Sequence, residues 1–354
     1  MKIVNYTNKS RWNQIVKSFS NWDVYYLNEY AVSFMLHGDG VPYLIYYSDE
    51  SCRICQVIMK NDIGKSKFFS NCLAQNKYFD ISTPYGYGGP LSDGVVTEKS
   101  KVNFTKKLND FAKKNKIVTQ FVRFHPLYQN HLDYENVFEI QVVKDTIFVD
   151  TTKLDEINSN LDSKNRNMIK KAIKNGVKVT IDYGSKIAEF IDIYESTMDE
   201  NHARKYYYFE KSYYEYIISN MSENTIFFYA SNENGEIISA AIFFFNDKYM
   251  HYHLSGTKKE YRSFASMNLI LYEAALWANK NGIIQLHLGG GLNTDDGLFR
   301  FKYKFNGKGK LPFAIGRNIF SKKTYDYLLK KRFELDSNFD KNNGNLIQYR
   351  KELT

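Results

Sequence analysis

The sequence predicts a mixed α+β fold in which helices connect strands of the same sheet. Residues 249–254 alternate aromatic and histidine side chains, as strands do, and residues 266–278 repeat apolar side chains at helical spacing. The apolar run at 283–288 is typical of a buried strand. A strand, a helix and a strand within so few residues form a crossover unit, so both strands should lie in one sheet. The order helix then strand also occurs at 99–114 and 117–124, which predicts two structurally similar halves.

The first half combines short helices with paired strands. Its predicted elements are helices at 12–19 and 27–36, strands at 41–47 and 52–59, and an extended segment within 68–79. In the helix at 99–114 we expect Val102, Leu108 and Phe111 to face inward. The loop 84–90 contains two prolines and three glycines, which excludes regular structure, so it is either a rigid loop or a ligand-binding loop.

The second half begins with helices and continues as an antiparallel meander. The predicted elements are helices at 154–160, 163–174 and 187–198, then strands at 225–231, 237–245 and 249–255. Asn-Gly and Asn-Asp pairs form the turns between these strands. We expect the hydroxyl of Ser266 to cap the helix that follows the meander.

Three consecutive glycines, Gly289 to Gly291, follow the buried strand. Bare backbone there either lets another group approach closely or makes a tight turn. In the short helix that comes next, Phe301 and Phe305 should pack inward and fix the position of Lys302. A strand at 312–319 and a basic helix at 322–335 complete the prediction.

Composition indicates a globular protein with an anionic partner. The 354 residues include 43% hydrophobic and 25% charged side chains, which is ordinary for globular chains. A formal charge of +9 favours tRNA, a nucleotide-sugar phosphate or an acidic membrane surface as the partner. No apolar run approaches the ~20 residues that span a bilayer, and the first residues lack the apolar core of a signal peptide. We therefore expect a cytoplasmic protein, with peripheral membrane association as one option.

Metal sites and the common nucleotide motifs receive little support. His251 and His253 have metal-ligand spacing on a predicted strand, but the sequence places no third ligand nearby, so we expect no metal. Cys52 and Cys55 have redox or zinc spacing without a second pair. The chain has no Gly-x-Ser-x-Gly elbow, Walker loop or dinucleotide fingerprint.

Four motifs in order carry a family resemblance. They are Thr83–Pro90 (TPYGYGGP), His251–Thr257 (HYHLSGT), His287–Gly291 (HLGGG) and Leu298–Phe305 (LFRFKYKF). Together they resemble the GNAT acyltransferase fold and, more specifically, the Fem-type peptidoglycan-bridge aminoacyltransferases, over most of the chain. The resemblance implies tandem GNAT-like domains with a cleft between them. The first would span 1–148, completed by 318–354, and the second, carrying the main motifs, 149–317.

The resemblance implies an acyltransferase that forms an amide on an amine of a cell-envelope precursor. The first hypothesis is aminoacyl transfer from aminoacyl-tRNA to an anionic peptidoglycan precursor, nucleotide-linked or lipid-linked, with no tightly bound cofactor. The second is a GNAT-type N-acyltransferase that uses an acyl-CoA or acyl-carrier thioester on an amino sugar or envelope glycan. The third is a non-catalytic glycan- or RNA-binding relative.

Some features depart from these families. Glu200 stands where the Fem family often has arginine, and the chain has no heptad run for a coiled-coil arm. The loop before the helix at 266, which holds the CoA pyrophosphate in GNAT enzymes, has no glycine after Gly256. Arg262 and the helix N-terminus remain able to bind an anion. Missing glycines and a basic surface together favour the tRNA donor.

Acyl transfer to an amine requires a positive group near the developing oxyanion and a route for the proton that the amine loses. Lys302 is the candidate for the first role, and the alternative reading is a surface lysine. Asp296, His253 and Asp295 are unranked candidates for the base, and a dedicated base is poorly marked in the Fem family.

Candidate substrate-binding residues extend over both halves. Tyr85, Tyr87 and Gly89 would contact the acceptor from the proline-flanked loop. The basic helix at 163–174 is either a solvated face or an RNA contact. The remaining candidates are Arg166, Thr197, Tyr207, Tyr252, Ser255, Arg262, Gly289 and Gly290.

Overall fold

The computed structural model describes residues 1–70 and 72–351. The strands are β1 Lys2–Asn5, β2 Val41–Ser48, β3 Cys52–Asp62, β4 Phe79–Ser82, β5 Leu91–Gly94, β6 Ile117–Arg123, β7 Glu139–Asp150, β8 Lys178–Asp182, β9 Thr225–Ser231, β10 Ile237–Phe245, β11 Tyr249–Thr257, β12 Gln285–Gly289 and β13 Lys310–Ile319. The α-helices are α1 Lys9–Lys17, α2 Asn28–Leu36, α3 Glu98–Lys114, α4 Leu154–Asn160, α5 Ser163–Lys174, α6 Ile187–Glu200, α7 Lys211–Asn220, α8 Ser266–Lys280, α9 Gly297–Tyr303 and α10 Lys322–Leu335.

The chain divides into two compact units. The first consists of residues 1–143 and 313–354, and the second of residues 144–312. Both divisions fall inside long strands, β7 and β13, and the boundaries expected from the sequence lie slightly later in the same two strands.

In the first unit the strands are ordered β1-β2-β3-β4-β6-β13, and β5 pairs with β3. The β4–β6 pair is parallel and the other pairs are antiparallel. Phe104 and Leu108 of α3 pack in one core cluster, and Tyr325 and Leu328 of α10 pack in a second. The amphipathic helix periodicity thus gives α3 and α10 an apolar face each, which they bury.

In the second unit the order is β7-β12-β11-β10-β9-β8. β11 and β12 are parallel neighbours with His251 opposite His287, and α8 connects them. The crossover predicted from the sequence is therefore confirmed, and the other pairs are antiparallel. The apolar residues of α8, including Leu269, Ile270 and Ala274, are buried in the core of this unit. This mixed α+β sheet architecture confirms the predicted fold class.

Two local predictions in the first unit are wrong. Val102 is 65% exposed, because α3 buries Phe104, Leu108 and Ala112 instead. Residues 68–78, apart from the undescribed residue 71, form turns rather than a strand, and β4 begins only at Phe79. The short polar stretches there lack the alternation that a strand requires.

Ser266 does not cap α8. The residue before the helix, Ala265, takes the left-handed conformation with φ of 56°, and Ser266 already belongs to the first turn. The hydroxyl of Ser266 is buried and shares a hydrogen bond of 2.5 Å with the hydroxyl of Ser239.

Over residues 1–70 and 72–351, none of the helices has both the length and the apolar character that crossing a membrane requires.

Candidate active site in the second unit

A cavity of about 270 Å³ lies in the second unit, where the end of β11 meets the start of α8. Tyr252 and Ser255 line it from β11, and Met267 and Asn268 from α8. Phe301 contributes from α9. The lining thus combines aromatic and apolar side chains with polar ones, as small-molecule sites commonly do.

A β-bulge positions the side chains at the end of β11. The register shifts so that Ile242 faces Leu254 while Phe243 faces Tyr252, which leaves His253 as the extra residue. A bulge bends its strand and changes the direction of nearby side chains. Tyr252 and Ser255, three positions apart, would face opposite sides of a regular strand, but with the extra residue between them both line the cavity.

The N-terminus of α8 opens into this cavity. Ala265, Ser266 and Met267 all line it. The first amides of a helix have no acceptor inside the helix, and the helix dipole makes this end positive. The end of α8 can therefore bind an anionic group. Ala265 adopts the positive φ that glycine usually supplies, so the missing glycine does not prevent this backbone turn.

Arg262 lines the cavity and forms an ion pair with Glu200. Glu200 is the residue that stands where the Fem pattern often has arginine. The pair compensates the charge of Arg262, so the cavity rim gains little positive charge from it. An anion would have to compete with Glu200 for the guanidinium group.

Thr197 and Gly256 fix the wall where α6 meets β11. The Thr197 hydroxyl donates to the carbonyl of Ile193 at 2.8 Å and accepts from the amide of Thr257 at 3.0 Å. A Cβ on Gly256 would lie 2.5 Å from the Ile193 carbonyl oxygen and 2.8 Å from the Thr197 hydroxyl. Only glycine fits this approach without a shift, so Gly256 sets the spacing of the wall.

Tyr252 contributes a hydroxyl group to the polar part of the cavity lining. Its phenol oxygen is hydrogen bonded to the hydroxyl of Ser255 and lies 3.6 Å from the sulfur of Met267. Burial raises the pKa of Tyr252 to about 12, so the phenol stays neutral and can donate.

Lys302 is buried, with 7% of its surface exposed. Its ammonium donates to the carbonyl of Gly290 at 2.8 Å and lies 5.4 Å from the centre of the Tyr252 ring. Burial, and then the nearby Lys144, lower the pKa of Lys302 to about 7, while Asp296 opposes the shift. The alternative interpretation of Lys302 as a surface lysine is therefore wrong. Lys302 is not among the residues that line the cavity.

Phenylalanines on the same short segment hold α9 in place. Phe299 is 6% and Phe305 is 2% exposed, whereas Phe301 is only partly buried and lines the cavity. Phe301 nevertheless packs against the same core and edge to face on Phe305, with ring centroids 5.6 Å apart, so the expected packing applies to both and Phe299 adds to it. A helix of α9's length is marginal alone and depends on such packing.

Asp296 and His253 both have structural roles that make them weak bases. The Asp296 carboxylate accepts from the amides of Phe299 and Asn293 at 2.8 Å each, capping α9. Burial raises the pKa of Asp296, but these amides outweigh it and leave the pKa below its ordinary value. Burial and then His251 lower the pKa of His253 to about 3, and its Nε2 lies 2.8 Å from the Tyr213 hydroxyl.

The glycine loop after β12 is tightly packed. Gly289 has φ of 72°, and a Cβ on Gly290 would lie 2.7 Å from the carbonyl oxygen of Asp145. A Cβ on Gly291 would overlap the carboxylate of Asp296. The sequence left open whether these glycines allow another group to approach closely or form a tight turn. The structure shows a close approach, and the approaching groups are the backbone of Asp145 and the carboxylate of Asp296.

The loop 84–90 belongs to the first unit. The side-chain amide of Asn130 donates to the carbonyls on either side of Gly89, at 2.9 Å each, and Gly89 has φ of 86°. The Tyr85 ring stacks on Phe34, and burial raises the pKa of Tyr87. Both tyrosines are partly buried, and their rings pack against Phe34 and Phe313.

The remaining candidates lie outside the cavity lining. Arg166 is exposed on α5 and donates to the carbonyl of Leu161 at 2.5 Å. The carbonyl of Tyr207 accepts from the Tyr194 hydroxyl at 2.8 Å. Conversely, sequence reasoning did not single out Met267, Asn268 or Leu298, which line the cavity.

Comparison with solved structures defines the class of fold. The crystal structure of FemX aligns with a TM-score of 0.67 and 13% identity, covering 92% of this chain and 99% of FemX. L-PGS from Bacillus licheniformis aligns with a TM-score of 0.56 and 11% identity, covering 94% and 98%. A tandem GNAT protein from the clavulanic acid biosynthesis pathway aligns with a TM-score of 0.50 and 8% identity, covering 90% and 98%. The chain therefore has the fold of tandem GNAT-type acyltransferases.

The sequence comparison is more specific. Residues 219–311, a segment within the second unit, match the model of the FemAB family. This segment includes β11, α8, α9 and most of the cavity lining, and it confirms the resemblance seen in the motifs. The comparison with curated proteins found no match.

Proposed function

We propose that this protein is an acyltransferase that forms an amide on an amine of a cell-envelope precursor. In the preferred form, an amino acid passes from aminoacyl-tRNA to a peptidoglycan precursor. The observation that carries the proposal is the buried Lys302, fixed beside a cavity within the FemAB family segment.

The reaction would use the two charge states of Lys302. The acceptor amine attacks the acyl carbonyl and a C–N bond forms, neutral Lys302 takes the proton that the amine loses, and this proton passes to the ribose oxygen as the C–O bond to the tRNA breaks. The protonated form of Lys302 can stabilise the oxyanion of the intermediate. A pKa near 7 also makes the neutral amine available at neutral pH, so Lys302 can accept a proton where Asp296 and His253 are weak bases.

Local charge near the cavity supports a tRNA donor. The side chain of Asn268, in the first turn of α8, donates to Asn165 of α5 at 2.7 Å. Lys164, Lys170 and Lys171 are exposed on α5, so a line of positive charge begins beside the cavity. A phosphate backbone could follow this helix while the acylated end enters the cavity.

The net charge is unevenly distributed between the two units. The first contains 26 Lys and Arg against 18 Asp and Glu, and the second contains 22 against 21. The second unit is thus nearly neutral, and its attraction for a polyanion depends on local clusters such as α5. Most of the long-range attraction would come from the first unit.

A second candidate uses an acyl-CoA or acyl-carrier thioester. It is favoured by the start of α8, where Ala265 and Ser266 line the cavity and present a positive helix end. A pyrophosphate could bind these amides as anions bind other helix N-termini. The sequence argued against this donor because the loop before α8 lacks glycine. Ala265 adopts the left-handed conformation that glycine would supply, so this objection is weaker.

Binding measurements separate the two donors. We would titrate the protein with bulk aminoacyl-tRNA and with acetyl-CoA at low and moderate salt. The preferred function predicts tRNA binding that weakens steeply with salt through counterion release. Tight, salt-insensitive binding of acetyl-CoA without tRNA binding would refute the aminoacyl-tRNA proposal and favour the thioester donor.

A further inference from the structure

A second lysine shares the glycine loop with Lys302. The ammonium of Lys144, at the start of the second unit, donates to the carbonyl of Gly291 at 2.5 Å and lies 3.3 Å from that of Leu292. Lys302 donates to the carbonyl of Gly290, the adjacent residue. Two ammonium groups are therefore held on consecutive peptide carbonyls.

The backbone around the loop brings these two side chains together. Gly290 packs against the carbonyl of Asp145, the residue after Lys144, too closely for any side chain. Gly291 likewise packs against the carboxylate of Asp296, which caps the helix that carries Lys302. The three segments are tightly packed, and both ammonium groups are hydrogen bonded to the loop between them.

We propose that Lys144 is a positioning residue that sets the charge state of Lys302 by holding a second ammonium on the adjacent carbonyl of the same loop. This proposal rests on the function proposed for Lys302 and extends it to a residue outside the cavity lining. Without Lys144, Lys302 would be protonated over a wider pH range and would have less neutral amine available.

The groups that face Lys302 support this assignment. Lys144 is a like charge on β7, and Asp296 on α9 is an opposite charge that favours the protonated form. Tyr252 on β11 stays neutral because burial raises its pKa. Because the two ammonium groups are held on adjacent carbonyls of one loop, removing the charge of Lys144 should widen the pH range over which Lys302 stays protonated.

Three variants separate charge from hydrogen bonding at this position. Lys144→Gln keeps a donor for the Gly291 carbonyl without the charge, Lys144→Met removes both, and Lys144→Arg keeps both. Lys310→Met is the matched control, because Lys310 pairs with Asp145 and packs on α9 without being bonded to the glycine loop.

The ionisation of Lys302 can be followed without any activity. We would label amines with acetic anhydride across pH 5 to 10 and measure the Lys302 peptide by mass spectrometry in each folded variant. The Gln and Met variants should both raise the midpoint of labelling by roughly 1 pH unit. The Arg variant and the Lys310→Met control should leave it near that of wild type.

Two outcomes would overturn the proposal. One is an unchanged midpoint in both uncharged variants, and the other is a shift in the Met variant but not in the Gln variant, which would indicate hydrogen bonding alone. The labelling result is independent of the proposed function. A shifted midpoint in a protein that transfers no acyl group would uphold the role of Lys144 and reject the acyltransferase.

Discussion

Replacing Lys302 with methionine should impair catalysis and stabilise the fold at the same time. Methionine has a similar length and no charge, so it can occupy the buried site without the ammonium. The loss of an oxyanion-stabilising group should lower the rate by about 100- to 1000-fold. A residue that only supported the fold would instead reduce stability when removed.

The stability gain follows from the pKa of Lys302. Burial, and then the charge of Lys144, lower this pKa from 10.5 to about 7. Below pH 7, where Lys302 is protonated in both the folded and the unfolded state, burying its ammonium costs about 5 kcal/mol at 1.36 kcal/mol per pKa unit. Loss of the hydrogen bond to Gly290 offsets about 1 to 1.5 kcal/mol. We therefore expect Lys302→Met to be more stable by roughly 3 kcal/mol at pH 7.

The sign of the pH dependence gives a further check. Between pH 7 and 10.5 the unfolded state binds a proton at Lys302 that the folded state does not, so wild-type stability rises with pH in this window. The variant lacks this contribution, and its advantage should shrink towards pH 10. Urea unfolding at pH 6 and pH 9.5 would measure the difference.

Lys310→Met provides the matched control, because it removes an exposed lysine from the same part of the chain. It should change neither turnover nor the pH dependence of unfolding appreciably. Near wild-type turnover in Lys302→Met would refute the catalytic role. A loss of stability that is equal at both pH values would refute the reasoning from burial.

Three further changes test the loop 84–90, the close approach at Gly256 and the basic helix α5. Changing both Tyr85 and Tyr87 to alanine should raise the acceptor's KM more than it lowers kcat, with the double phenylalanine variant as the packing control, and a change in melting temperature alone would make the loop purely structural. Gly256→Ala should destabilise the protein by roughly 1 to 3 kcal/mol through overpacking, as measured by denaturant unfolding, and an unchanged stability would contradict the close approach of α6. Lys170→Gln with Lys171→Gln should reduce the salt slope of tRNA binding by about 1 to 2, and an unchanged slope would remove α5 from the RNA contact.

Much of the fold was predictable because its signals are periodic and local. The crossover through α8 follows from helical spacing between two apolar strands, and the meander β9 to β11 follows from alternating side chains and Asn-containing turns. Side-chain direction at helix ends was harder to predict. Ser266 is a preferred capping residue, yet a left-handed Ala265 takes the cap position and leaves the serine buried against Ser239.

The candidate site was only partly predictable from the sequence. Tyr252, Ser255, Thr197 and Arg262 were candidates and line one cavity, but the bulge at His253 that directs Tyr252 has no sequence signal. The hydrogen bond from Lys144 to the glycine loop joins residues 147 positions apart in the chain, Lys144 and Gly291. Contacts at such separation depend on the completed sheet rather than on any local pattern.

The proposed function requires that this protein forms an amide bond and that Lys302 promotes the reaction. The most direct measurement is mass spectrometry of an amine-bearing peptidoglycan precursor after incubation with the protein and bulk aminoacyl-tRNA, with Lys302→Met and Lys310→Met in parallel. Wild type and Lys310→Met should both give an amino-acid mass gain through an amide bond, and Lys302→Met should form this product at a rate lower by about 100-fold or more. No amide product from either aminoacyl-tRNA or acyl-CoA with the folded wild-type protein, or equal product from Lys302→Met, would contradict the proposed function.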